Sequence, residues 1–453
     1  MPDVTRVLVP TGMLGGGFPA DTVHRGIELG ADVIAVDGGS TDSGPYYLGT
    51  ASAKTTEEAV TRDLEVILTA AADARIPVIV GSCGTSGTDA GVDWVHALVE
   101  KIAMDHDLRL RVARLYSEQD PGTLLARLAA GRIAPLEPAG PLDPATLGRC
   151  EHIVGLMGHE PMVAALEQGA DVVLAGRATD TAVLSAVPLW HGRPAGPTWH
   201  AAKVAECGGL CTTDPRSGGV LVTVDAGGFT IEPLDPVAAC TPASVAAHML
   251  YENADPYRMR EPTGTLDTTD ATYSALDDRR VRVEGSRFEP ADPHTMKLEG
   301  AAVAGYQTIA LAGIRDPEVL AALDTWCDTL RLVLVDGIGR VLGIAADDYD
   351  LQLRCYGWNA VLGSRDPASW PPREVGAVLV VTAGSQALAT KIAKYANPYL
   401  LHMPLPTMDH LPSYAFLSSP AEMPRGAVYE FVLQHAVELD SPGDLVRTEV
   451  GDL

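Results

Sequence analysis

The stretch Gly30-Ala31-Asp32-Val33-Ile34-Ala35-Val36-Asp37-Gly38-Gly39-Ser40-Thr41-Asp42 returns, one residue shorter, as Gly169-Ala170-Asp171-Val172-Val173-Leu174-Ala175-Gly176-Arg177-Ala178-Thr179-Asp180. Each copy follows a helical segment, carries Gly-Ala-Asp into a short apolar run, and ends in Gly-x-x-Thr-Asp. That pattern predicts an internally repeated strand–helix–strand unit. A parallel strand ending in glycine and polar residues puts side chains and free N–H groups at the carboxyl edge of the sheet, where open α/β folds bind ligands. The ends of both copies are therefore expected to share one crevice.

Working outward, further strands are expected at 6–10, 77–80, 109–113 and 152–157, alternating with helices near 56–74 and 90–104. Alternation of this kind predicts an α/β fold with a mainly parallel sheet and right-handed crossovers. Residues 1–240 are read as the α/β domain carrying the site, and 241–300 as a linker or insertion packing on the sheet. In 301–453 the order strand 305–314, helix 316–335, strands 349–356 and 375–382, helix 385–397, strand 428–438 predicts a ferredoxin-like α+β domain.

The chain has 453 residues and a formal charge of −26, from 59 acidic against 33 basic side chains. Such a balance repels nucleic acid and anionic membrane surfaces. Seven scattered cysteines lack a disulfide-framework spacing and suit a reducing cytoplasm. The N-terminus carries no signal pattern, and no apolar window reaches membrane-spanning length.

Glycines at Thr11-Gly12-Met13-Leu14-Gly15-Gly16-Gly17 lack the G-x-G-x-x-G spacing of dinucleotide folds and the lysine of a P-loop. They predict a tight turn or an anion-binding one. The run Gly81-Ser82-Cys83-Gly84-Thr85-Ser86-Gly87 after a strand suggests a backbone-rich pocket for carboxylate or phosphate.

Arg177 is positioned to clamp a substrate carboxylate, with Asp180 as base or as its orienting partner. A plain Arg–Asp turn is the duller reading. Glu206 is a candidate acid or base beside Cys207, and Cys83 a candidate nucleophile or simply a packed small residue. His159 opens a helix after strand 152–157 and could enter the crevice or only cap it. Ser40, Asp42, Thr85 and Cys207 complete the expected substrate lining. No metal ligand set is assigned: Asp37 and Asp42 could hold Mg²⁺, and Cys207-x₃-Cys211 with His200 is a loose zinc spacing.

The segments Ala246-Ala247-His248-Met249-Leu250-Tyr251-Glu252-Asn253-Ala254-Asp255-Pro256 and Asp277-Asp278-Arg279-Arg280-Val281-Arg282-Val283-Glu284-Gly285, and Lys297 ahead of Gly305-Tyr306, resemble the acyclic terpene utilisation AtuA family. Gly176-Arg177-Ala178-Thr179-Asp180 and Glu206-Cys207-Gly208 resemble that family's G-R-x-x-D and E-C-G stretches. The resemblance covers roughly residues 5–390. It implies an α/β domain with a ferredoxin-fold partner domain, in pathways that degrade branched acyl-CoA or carboxylated intermediates.

The function expected is a cofactor-independent or metal-assisted lyase of the hydratase/dehydratase type. Its substrate would be a small hydroxy- or polycarboxylic acid or its acyl-CoA thioester. Alternatives are a non-catalytic subunit or scaffold that binds a small partner protein, and an acyl transferase or hydrolase using Cys83 or Cys207. A cytoplasmic homo-oligomer is expected, with no nucleic-acid or membrane partner.

Overall fold

Val33-Ile34-Ala35-Val36 is apolar without alternation, the pattern of a strand covered on both faces. The computed structural model, which describes residues 3–216, 218–363 and 372–453, buries all of it. The strands of this part are β1 (Thr5–Val9), β2 (Val33–Asp37), β3 (Val78–Gly81), β4 (Arg111–Tyr116), β5 (Ile133–Pro135), β6 (His152–Leu156), β7 (Val172–Ala175), β8 (Val220–Val224) and β9 (Gly228–Pro233). Successive residues of a strand face opposite sides, and the core divides accordingly. Val7, Val33, Ala35, Ile79 and Val173 enter one hydrophobic cluster, while Leu8, Ile34, Val36, Val78 and Leu174 enter another.

The chain divides into two compact units, Met1–Ala302 with Phe431–Leu453, and Val303–Glu430. In the first, β1, β2, β3, β7 and β4 pair in parallel in that order. Both copies of the repeated stretch thus become strands of one sheet, β2 and β7, with β3 between them.

The sheet is mixed rather than mainly parallel. On the β1 side, β8, β9 and strands Val281–Glu284 and Thr272–Ala275 add antiparallel; on the other, Arg447–Asp452 adds antiparallel to β4. Two of these antiparallel pairs, β8 with β9 and Thr272–Ala275 with Val281–Glu284, are joined by short hairpin connections, which need only a few residues. Within 241–300 lie the helix Pro242–His248, with a Thr241–Ser244 capping box, and a separate antiparallel sheet of Arg258–Glu261, Gly264–Asp267 and Arg287–Pro290.

In the second unit, residues Tyr306–Ile314 pair antiparallel with Val375–Ala383, which pairs antiparallel with Tyr349–Tyr356. Helices Leu323–Gly337 and Gln386–His402 bury Trp326, Leu330, Leu334, Ile392 and Leu400 in a common cluster with Leu379 and Val381. No helix among the described residues is long and apolar enough to cross a membrane.

Two close approaches fix the carboxyl edge of the parallel strands. A Cβ at Gly81 would lie 2.3 Å from Cγ2 of Val183, because the helix Asp180–Trp190 crosses the end of β3 there. At Gly87, with φ of +65°, a Cβ would lie 2.1 Å from the backbone nitrogen of Arg177.

Candidate active site

The loop after β3 is laced to the loop after β7. Ser82 N donates to Gly176 O at 3.0 Å, Cys83 N to Ala175 O at 3.0 Å and Arg177 N to Gly87 O at 3.1 Å. The Ser82 and Cys83 amides are thus spent within the protein. The glycine-rich turn near residue 15 is likewise filled from inside: Gly15 N and Gly17 N both donate to Oδ2 of buried Asp63, at 2.8 and 3.0 Å.

Arg177 is the hub of the edge. Its Nε donates to Glu299 Oε2 at 3.2 Å, Nη1 to Ser82 Oγ at 3.1 Å and to Ala178 O at 3.2 Å, and Nη2 to Thr41 Oγ1 at 3.2 Å. Thr41 Oγ1 in turn donates to Glu299 Oε2 at 2.8 Å, and Lys297 Nζ donates to Oε1 at 2.8 Å. Burial works to raise the Glu299 carboxyl, but Arg177 and Lys297 outweigh it and hold it at about 2. With its guanidinium committed to internal partners and only 7% of its side chain exposed, Arg177 is a structural keystone, not a ready bidentate clamp. Lys297 remains 40% exposed beside it.

A pocket of about 250 Å³ opens here, lined by Ser40, Thr41, Asp42, Arg177, Lys297 and Glu299 together with Phe431, Leu433 and Gln434. Asp42 and Arg177, the ends of the two repeated stretches, therefore face one cavity.

Asp180 Oδ1 stands 3.9 Å from Arg177 Nη1. Thr179 caps its helix by accepting from Ala182 N, so Asp180 occupies the first helical position. Burial raises the Asp180 carboxyl to about 6 against the pull of Arg177 and Lys203, with Asp42 and Glu252 adding to the rise. Asp37, buried at the end of β2, is raised well above the carboxylate range by burial and by Asp180. Its Oδ2 accepts from Gly39 N, while Oδ1 has no hydrogen-bond partner among the described residues.

Glu206 ends the helix Ala195–Ala205 and lies 2.5 Å from Lys203 Nζ, one turn earlier. Burial pushes its carboxyl up to about 8 despite that lysine. Glu261, accepting from Thr181 Oγ1 at 2.8 Å, is raised by burial to about 7. Several carboxyls at this edge thus change protonation near neutrality, a condition for acid–base chemistry.

Other expected participants are placed differently. Cys83 is fully buried, its Sγ directed to Val80 O at 3.7 Å, and burial with nearby Asp37 pushes the thiol far up, so it is a packed thiol and not a nucleophile. The Cys207 thiol is also raised, by burial and then by Glu206. Thr85 Oγ1 accepts from Lys54 N at 2.8 Å and does not line the pocket. His159 packs edge-on against Trp199, and burial with His294 lowers it to about 4, leaving a neutral ring. His200 bonds Ser286 and Tyr273 through its two nitrogens and Cys211 bonds Gly208 O, so they do not form a zinc pair. Asp37 is buried and Asp42 exposed.

Thr41, Lys203, Glu261 and Glu299 join this network through the fold, with no motif in the sequence marking them as site residues. Lys203, three residues before Glu206 on a helix, has only that spacing as a readable signal. Residues 47–434 match the model of the family described as Acyclic terpene utilisation family protein AtuA. The chain belongs to the AtuA family. The AtuA match includes Arg177, Asp180, Lys203, Glu206 and Glu299, whereas Asp37 to Asp42 precede it. No curated protein and no solved structure matches the chain.

Proposed function

We propose that this AtuA-family chain is a lyase of the hydratase/dehydratase type, acting on a small hydroxy- or polycarboxylic acid or its acyl thioester. Asp180 is the observation that carries the reading: a carboxyl with 29% of its side chain accessible, raised to about 6 and held beside Arg177. Proton removal next to a carbonyl requires a positioned base and a cation for the charge that develops. Asp180 takes the proton, Arg177 orients Asp180, and Lys297 is the cation a substrate carboxylate can reach. The test is solvent deuterium incorporation, followed by NMR, across a panel of hydroxy acids and thioesters. Exchange that disappears in Asp180→Asn supports the reading; exchange at an undiminished rate in that variant removes it.

We read Val303–Glu430 as ferredoxin-like. The β-α-β-β-α-β order supports this, as does a strand order in which Tyr349–Tyr356, Val375–Ala383, Thr295–Ile314 and Glu422–Glu438 are successive neighbours. An apolar groove lined by Val333, Pro398, Tyr399, Met403 and Leu411 favours a second reading, a subunit that assembles with another copy or with a small partner. Light scattering of the purified chain tests it. A cytoplasmic location belongs to the same proposal, on the strength of the scattered cysteines.

A further inference from the structure

A second constellation sits where the helix Ala195–Ala205 gives way to the short turn Gly208–Cys211. Glu206 and Cys207 occupy the junction. The helix Pro242–His248 is fastened against the turn by Ser244 Oγ, which donates to Cys211 O at 2.8 Å, and it delivers His248 as its last residue. A carboxylate oxygen, a sulfur and an imidazole nitrogen thereby lie within 4.8 Å of one another.

His248 is an independent sign that something is meant to lie there. It is only 5% exposed, and its Nε2 is buried without a hydrogen-bond partner among the described residues. Buried ring nitrogens are ordinarily satisfied, as both nitrogens of His200 are. Glu206 commits Oε1 to Lys203, and a carboxylate has a second oxygen to offer. Glu206, Asp180 and Glu252 put negative charge around Cys207, set against the positive charge of Lys203.

We propose that Glu206, Cys207 and His248 bind one divalent transition-metal ion of the zinc class. Thiolate and imidazole select borderline metals over Mg²⁺ or Ca²⁺, which take oxygen ligands. Metal–ligand bonds of about 2.0–2.3 Å in a tetrahedron put ligand atoms roughly 3.5 Å apart, so side-chain shifts on the order of 1 Å close the set. As the metal–sulfur bond forms, the Cys207 proton leaves to solvent. Three protein ligands leave a fourth position for water or a substrate oxygen. The ligand set stands independently of the lyase reading.

The test uses the purified 453-residue chain, stripped with a chelator and titrated with Co²⁺. The expected result is uptake of a single equivalent with a thiolate-to-cobalt charge-transfer band, both displaced by Zn²⁺. Cys207→Ser loses the band, His248→Ala, which removes a ligand outright, weakens binding by more than the roughly 10- to 100-fold that losing a ligand's supporting partner costs, and the control Cys211→Ser keeps the band. Absence of stoichiometric uptake by the unaltered chain overturns the site. So does a band that survives in Cys207→Ser.

Discussion

Arg177 and Glu299 form a buried ion pair, with Nε 3.2 Å from Oε2 and both side chains less than one-tenth exposed. It joins the loop after β7 to a strand well over a hundred residues later, and Thr41 and Lys297 close the network around it. Breaking such a pair from one side leaves an uncompensated buried charge. Arg177→Ala is expected to lose about 3–5 kcal/mol of stability, read by urea unfolding at neutral pH. Retention of full stability would return Arg177 to the role of a dispensable substrate clamp.

The same pair sets an acid limit. The folded-state value of about 2 for Glu299 lies below its ordinary value, so its stabilising contribution is present above the ordinary range and is lost as pH falls toward 2. Glu299→Gln should flatten this part of the acid-unfolding curve while lowering stability at pH 7. A parallel downward shift at every pH would count against it.

Glu160 has the opposite sign. Burial raises its carboxyl to about 7, so the folded state favours the protonated form. That contribution is complete below about 4.5 and is lost as pH rises through 7, an amount on the order of 3 kcal/mol at most. Glu160→Gln should remove this decline, seen as a flatter Tm profile between about pH 4.5 and 7, the window this shift spans. An unchanged profile would show that the carboxyl is ionised when folded.

Gly81 and Gly87 make contrasting tests of packing. Gly81→Ala meets the methyl of Val183, a side chain that can be shortened; the cost expected is about 1–3 kcal/mol, largely restored by adding Val183→Ala. Gly87→Ala meets the Arg177 backbone at a positive φ, and no single side-chain change relieves it. Denaturant midpoints of the two series decide the matter.

For the reaction itself, Asp180→Asn is expected to lower kcat by about 10²–10⁴. It should also abolish an acidic limb in the kcat/KM profile near pH 6, where Asp180 gains its proton. A limb that persists belongs to another group.

The central strands were legible because Val33–Val36 and Val172–Ala175 are buried on both faces and therefore read as unbroken apolar runs. The antiparallel flank was not. Thr272-Tyr273-Ser274-Ala275 is short, polar and largely exposed, and it acquires its place only by pairing with Val281–Glu284. At the site, Arg177, Asp180 and Glu206 could be found because each follows a strand or closes a helix in a recognisable phrase. Glu299 and His248 could not. One lies within a long strand and the other at a helix end, and each meets its partners only through tertiary structure.

The carboxylate of Asp63 sits where a glycine-rich turn offers two amides, and the fold thereby plugs its own socket. The plug is a single side chain, contributed by the helix Glu57–Ala74. Removing it, as in Asp63→Ala, would leave both amides without their acceptor and strip Arg62 of its partner, so one carboxylate holds the whole turn shut.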